Sequence, residues 1–410
     1  MNEEKPMLSV QQALDLLLVV APLAESETLP TQEANGRTLA ASQIAQLNVP
    51  PMDNSQMDGY AVRVTDCASG AALLQVSQRI AAGHVGPGLQ PGTAARIFTG
   101  APIPPGADAV VMQEACEARK TPDGDAIMVN HIPQPGEWIR RSGEDVRAGA
   151  VILPAGTRLR AQELGLAASV GLASLPVLRR LRVAVFFTGD ELTMPGEPLK
   201  PGAIYNSNRF TVRALLENLG CVVTDLGIVP DTLEATRAAL HSAATVHDLI
   251  VTSGGVSVGE EDHVKAALQA EGSLNLWQIA VKPGKPLAFG QVRRAVGNAH
   301  FLGLPGNPVA SLIAFMLFVR PFILRLQGVE NVAPQAYPMR ADFNWLKSDK
   351  RNEFLRAKIN AQGGLDLFAN QGSAVLTSTV WGDGLIDNPP GQTIKAGDSV
   401  RFIPFNSLLY

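Results

Sequence analysis

The sequence predicts a multi-domain chain of α/β and β units. Three observations predict it. The chain has 410 residues, more than one ordinary core holds. Between residues 181 and 327, apolar runs alternate with helical stretches. On either side of that segment, short runs are separated by Gly- and Pro-rich turns. Hydrophobic residues make up 46% and charged residues 18%, a globular balance.

The elements follow in order. Ser9 and Gln12 form a capping-box pattern at the head of a helix over residues 10–20. A short run at 37–40 and the motif VPPMDNSQMDGYAVR at 49–63 come next. From about residue 60 to 139, LLQV, AARIFTG, AVVMQE and AIMVNHI read as strands of an all-β unit. The charged RRSGED and further short strands follow, then a helix over 161–170. Apolar runs at 183–187, 222–228, 249–251 and 301–304 read as buried strands. Helices are expected at 208–219, 233–244, 262–270 and 308–326, which makes βαβ units and a mostly parallel sheet. After Pro334, FLRAKI, LDLFA and SVRFIPF suit a small β barrel or sandwich.

Composition excludes some classes. Acidic residues outnumber basic ones, 38 to 34, which argues against a general nucleic-acid surface. Cys67, Cys116 and Cys221 are far apart, which disfavours a thiolate zinc site or a disulfide framework and suits a reducing compartment. The start, MNEEKPML, is acidic where a signal peptide is basic. The greasiest stretch, 311–326, is broken by Arg320 and Pro321. A membrane span needs about 18 uninterrupted apolar residues. A soluble cytoplasmic protein with no membrane partner is the expectation.

In a parallel α/β sheet, ligands bind beyond the carboxyl ends of the strands. Here the strand ends lead into TGDEL, VPD ending at Asp231, TSGGVSVGEEDHV and PGNP. One such loop is ordinary turn chemistry; four on one rim point to a ligand site. Ser253, Gly254 and Gly255 can offer backbone N–H groups to an anion. Neither a Walker loop nor a GxGxxG fingerprint is present. Glu260, Glu261 and Asp262 suit a helix start through the dipole, or a Mg²⁺ seat. Lys282 and Lys285 suit a phosphorylated or oxyanion substrate. Asp53, Asp58, Glu144 and Asp145 lie in turns outside this unit. HExxH is absent, so a zinc hydrolase of that type is unsupported.

The motifs MDNSQMDGYAV, RIFTGAPIPPGADAVV, IRRSGED, TGDEL, SGGVSVGEEDHVK, KPGKPLAFG and LPGNPVAS occur in this order. Together they resemble the MoeA family of molybdopterin molybdenumtransferases, which includes the gephyrin E domain. The resemblance implies an elongated homodimer of four-domain subunits. Residues 1–48 with 142–178 would form the elongated N-terminal, dimerising domain, and 49–141 a β-rich lid. Residues 179–328 would form an α/β domain like the molybdopterin adenylyltransferase fold, and 329–410 a small β barrel. The site would lie where the α/β domain of one subunit faces the lid of the other.

The implied reaction is molybdenum cofactor synthesis. Adenylylated molybdopterin is cleaved with Mg²⁺ or another divalent cation, AMP leaves, and molybdate is inserted. Carried over by motif, Asp58, Asp145, Glu191, Asp231 and Asp262 are the implied catalytic residues, with Asp231 and Asp262 nearest the metal. Thr99, Arg140, Ser253, Gly254, Gly255, Lys282, Lys285, Pro305, Pro308 and Ser373 are the implied substrate-binding residues. Ser142 stands where the family commonly has a third Arg, and Thr232 where it often has an acid. The roles of Arg351 and Arg356 are left open. A molybdopterin adenylyltransferase and molybdoenzyme maturation proteins are the implied partners. The alternatives are an adenylyltransferase acting on molybdopterin itself, or a non-catalytic scaffold.

Overall fold

The computed structural model describes residues 7–23, 25–255 and 263–409. Its centre is a six-stranded sheet of β1 (Arg182–Phe187), β2 (Val222–Ile228), β3 (Leu249–Ser253), β4 (Gly272–Gln278), β5 (Pro286–Arg293) and β6 (Asn298–Leu304). The spatial order is β2-β1-β3-β6-β5-β4. β1 is parallel to β2 and β3, and β3 is parallel to β6. β5 is antiparallel to both β4 and β6, a hairpin that the sequence reading did not anticipate. Helices α1 (Ser207–Asn218), α2 (Leu233–Val246) and α3 (His263–Glu271) supply the crossovers.

The central strands are apolar on both faces because both faces are covered. Side chains alternate along each strand. Val183, Val185, Phe187, Leu249, Val251 and Leu302 join one core. Ala184, Phe186, Ile250 and Phe301 join the other.

The apolar stretch Pro308–Leu326 is long and apolar enough to cross a membrane, but 94% of its apolar window is buried within the protein. It packs into the first of those two cores. It is not one regular helix: Pro308–Ala314 is α, Phe315–Val319 is π, and Arg320–Leu326 is α again. Pro321 has no N–H, and its ring would press on the Leu317 carbonyl in a regular helix. The wider π turn just before it accommodates that misfit.

The first helix, Val10–Leu17, has the expected capping box. Its N-cap Ser9 Oγ accepts the Gln12 N–H at 3.1 Å, and Gln12 Oε1 accepts the Ser9 N–H at 2.8 Å. Its apolar side carries Ala13 and Leu17 into the α/β core. The Leu8 N–H donates to the Gln278 carbonyl. This segment therefore packs on the α/β unit, not with the rest of the expected 1–48 domain. A separate core combines Ala34 and Leu39 with Leu153, Leu159, Ala167, Leu175 and Val177. There Ser26–Pro30 pairs antiparallel with Ser174–Leu178.

Between those flanks sits a second six-stranded sheet. Its order is Ala109–Met112, Gly59–Val62, Thr93–Ile97, Ala72–Ile80, Gly124–Val129, Cys116–Thr121. The C-terminal region forms a third. Its ladder runs Val281–Lys282, Asn352–Ile359, Gly384–Asn388, Ser399–Pro404, Tyr337–Arg340, with Leu365–Leu367 on Asn352–Ile359. This ladder is an open path, and a parallel bridge joins Ala341, just after Tyr337–Arg340, to Leu365 on the branch strand. Its first strand is lent by the α/β unit.

Candidate active site

The carboxyl ends of β1, β3 and β6 converge, and local packing explains their glycines. Gly189 has φ +144°, and a Cβ there would sit 2.6 Å from Glu191 Oε2. The Glu191 carboxylate thus folds back over Gly189. Gly254 has φ +98°, and a Cβ would meet the Thr188 carbonyl oxygen at 2.6 Å. At Gly254 the backbones approach too closely for any side chain, while at Gly189 it is the positive φ that favours glycine.

Ser253 and Gly254 do something other than expected. The Ser253 hydroxyl donates to the Pro305 carbonyl at 2.9 Å and accepts from Asn208 Nδ2 at 2.8 Å. Asn208 Nδ2 also donates to the Gly306 carbonyl at 2.7 Å. The Gly254 N–H donates to the Leu304 carbonyl. Both groups are spent on binding the strand-end loops to one another. The anion cradle narrows to the Gly255 N–H, which has no partner among the described residues.

These loops wall a cleft of about 650 Å³. Glu191, Asp231, Gly254, Gly255, Lys282, Lys285, Pro305 and Ser373 line it, as do Thr188 and Arg351. Its volume lies in the range of small-molecule sites. Among the residues that line the cleft, two side-chain atoms are buried without a hydrogen-bond partner, Asp231 Oδ1 and Thr188 Oγ1. Thr188 is only 3% exposed. Buried polar atoms are normally satisfied, so these two mark where a ligand belongs. Asp231 and Glu191 also fit a divalent cation, which takes one or two carboxylates with phosphate oxygens and water.

The cations divide into two kinds. Lys282 Nζ donates to Glu353 Oε1 at 2.9 Å and pairs with Asp349 Oδ2 at 3.1 Å. Burial pulls its pKa down, but these two bonds outweigh burial and raise it. Lys282 is therefore a clamp between units as well as part of the cleft wall. Lys285 is exposed and has no ion pair among the described residues. Arg351 is held by Asp349 at 2.9 Å, and that contact keeps the Asp349 carboxyl well below its ordinary value.

Arg356 takes another role. It is fully buried and absent from the cleft wall. Its guanidinium donates to the Gly372 carbonyl at 3.1 Å and to Ser378 Oγ at 3.0 Å. Burial lowers its pKa to about 10. It fixes the loop carrying Ser373 from behind. The Ser373 carbonyl in turn accepts from the Val309 and Ala310 N–H groups. Pro308, at the first turn of that helix, does not line the cleft. The helix start is thus capped by protein.

The remaining expected residues lie elsewhere. Asp58 is exposed, and its Oδ1 accepts the Thr99 N–H at 2.8 Å and the Thr99 hydroxyl at 2.9 Å. Those bonds lower its pKa, the N–H first. In IRRSGED, Arg141 is committed to Asp53 at 2.6 Å, while Arg140 and Asp145 are exposed. Asp58, Thr99, Arg140 and Asp145 do not line the cleft of their own chain. Asp262, with Glu260 and Glu261, lies outside the described residues. Sequence reasoning passed over Thr188 and Asn208. Thr188 stands in TGDEL, but only packing reveals its orphaned hydroxyl.

Three family matches span the chain in order. Residues 8–171 match the MoeA N-terminal region (domain I and II), 184–325 a probable molybdopterin binding domain, and 338–405 the MoeA C-terminal region (domain IV). The molybdopterin molybdenumtransferase of Haemophilus influenzae is 42% identical, covering 98% of this chain and 100% of the relative. That of a Nostoc species is 36% identical over 96% of this chain and 93% of its own. The solved molybdopterin biosynthesis moeA protein of Pyrococcus horikoshii aligns at TM-score 0.83 and 27% identity, covering 97% of this chain and 100% of that one. With its motifs, its order of domains and its full-length relatives all in agreement, this chain belongs to the MoeA family.

Proposed function

We propose that this chain inserts molybdenum into adenylylated molybdopterin, cleaving the phosphoanhydride and releasing AMP. The observation that carries the reading is one cleft that joins carboxylates, Glu191 and Asp231, to cations, Lys285 and Arg351, around the Gly254 and Gly255 turn. A substrate bearing a pyrophosphate needs cationic and N–H donors, and a cation bridging its oxygens needs carboxylates. Lys285 and the Gly255 N–H hold phosphate oxygens, and the Thr188 hydroxyl donates a further hydrogen bond. Asp231 and Glu191 would hold Mg²⁺ or another divalent cation, which neutralises charge on the phosphoryl oxygens as a Lewis acid. Asp262 belongs to the same motif and is assigned to the same cation. Lys282, fixed by Glu353 and Asp349, orients the KPGKP turn so that Lys285 faces the cleft.

Asp58, Thr99, Arg140 and Asp145 act from the lid of a second subunit in a cytoplasmic homodimer. The substrate would come from a molybdopterin adenylyltransferase, and the product would pass to molybdoenzyme maturation proteins.

The test is a turnover assay with adenylylated molybdopterin, a divalent cation and molybdate. AMP release that requires molybdate, and that falls at least about a hundredfold in Asp231→Asn, is expected. Pyrophosphate release from ATP would assign adenylylation in its place. Tight binding without turnover would assign a scaffold.

A further inference from the structure

The lid sheet sets two cations side by side. Arg79 on Ala72–Ile80 is the register partner of Arg96 on Thr93–Ile97, and Arg96 is the partner of Tyr60 on Gly59–Val62. Partners across a ladder project from the same face. The Arg79 guanidinium carbon lies 4.5 Å from the centre of the Phe98 ring. That of Arg96 lies 4.8 Å from Phe98 and 5.0 Å from Tyr60.

Like charges directly opposite each other repel. Arg96 is anchored by neutral groups, the Gly59 carbonyl at 3.0 Å and Gln113 Oε1 at 2.6 Å. Arg79 is exposed and has no carboxylate partner among the described residues. The fold thus holds two guanidinium groups against one aromatic ring, with Arg96 within electrostatic reach of the Asp58 carboxylate and Arg79 without a carboxylate partner among the described residues. The ring fixes their planes; both terminal nitrogens of Arg96 already donate within the sheet, while Arg79 is exposed, makes no hydrogen bond among the described residues and presents its N–H edge to phosphate oxygens. Phe98 is followed at once by Thr99, which binds Asp58.

We infer that Arg79, Phe98 and Arg96, beside Asp58 and Thr99, form the lid's own binding face for the phosphate oxygens of a phosphoanhydride substrate. The inference rests on the phosphoanhydride reading of the cleft and assigns residues that the family motifs leave out.

The experiment uses the full-length protein and calorimetric titration with inorganic pyrophosphate and with AMP at two ionic strengths. Arg79→Gln is expected to weaken both probes about tenfold, as loss of a charge-assisted hydrogen bond does. It should also flatten the salt dependence, with the melting temperature unchanged. Phe98→Leu, which frees the guanidinium groups, should weaken binding less. Lys285→Ala serves as the cleft control. Wild-type affinity and salt dependence in Arg79→Gln, with Lys285→Ala weakened, would overturn the lid assignment and leave the cleft reading standing. A wild-type protein that binds neither probe at millimolar concentration would overturn the cleft reading and the inference with it.

Discussion

Asp58 shows how one carboxylate is kept ionised without a salt bridge. Its pKa falls below the ordinary 3.8 because the Thr99 N–H and hydroxyl both donate to one of its oxygens. A hydrogen bond to the charged form favours that form. If the ionised carboxylate acts in turnover, the acid limb of the rate profile lies at lower pH than an ordinary aspartate would give. Thr99→Ala removes the hydroxyl bond and keeps the N–H bond. Asp58 then titrates nearer its ordinary value, and the acid limb of the kcat/KM profile moves to higher pH. A pH–rate series on the two proteins checks this. An unmoved limb would take Asp58 out of the rate law.

At the level of elements, one ion cluster ties the segments around Glu25 and Arg179 to the central sheet. The Arg179 guanidinium donates to both oxygens of Asp248 at 2.7 and 2.8 Å, and its Nε donates to Glu25 at 2.5 Å. Asp248, just ahead of β3, also accepts the Arg182 N–H at 2.8 Å. Burial alone would raise the Asp248 pKa, but Arg179 and the Arg182 N–H outweigh it, and the net shift is downward. A depressed folded pKa gives stability that is present above the unfolded value and lost as pH falls through the folded one. The contribution is therefore constant at neutral pH and fades below about pH 4. Asp248→Asn should cost about 3 kcal/mol at pH 7, since it removes one partner of a buried pair. It should also shrink the acid-dependent loss. Urea denaturation at pH 7 and pH 3 measures both.

The same scale shows what the sequence disclosed. β1, β3 and β6 were legible because both their faces are buried, so their segments 183–187, 249–251 and 301–304 carry no polar side chain. The hairpin of β4 and β5 was not, because polar Ser273, Asn275 and Gln278 interrupt the edge strand β4. The cleft motifs were legible as strand-end loops. The diversion of Ser253 and Gly254 into loop-to-loop bonding depends on Pro305 and Leu304, some fifty residues away, and no local pattern encodes it. Arg79 and Arg96 meet only through sheet register, which is equally non-local.

For the whole molecule, the expected residues fall into two sets, one around the cleft and one on the lid, and a single chain does not bring the lid set to its cleft wall. If two copies complete each other's sites, two inactive variants should rescue one another. Asp58→Asn impairs only the lid, and Lys285→Ala only the cleft. Mixed after dissociation and reassembly, half the dimers are hybrids, and each hybrid has one intact site. Activity should return to about a quarter of wild type. No recovery in verified hybrids would place lid and cleft of each site on the same chain.

The borrowed strand Val281–Lys282 has a consequence in time. Lys282 and its partner Glu353 are 71 residues apart in the chain. During synthesis the α/β unit emerges first, and its edge waits with unpaired backbone groups until Asn352 and Glu353 appear. The last sheet therefore grows on a template, and birth order becomes assembly order. A chain halted at residue 328 would carry that edge unprotected, open to capture by any stray strand.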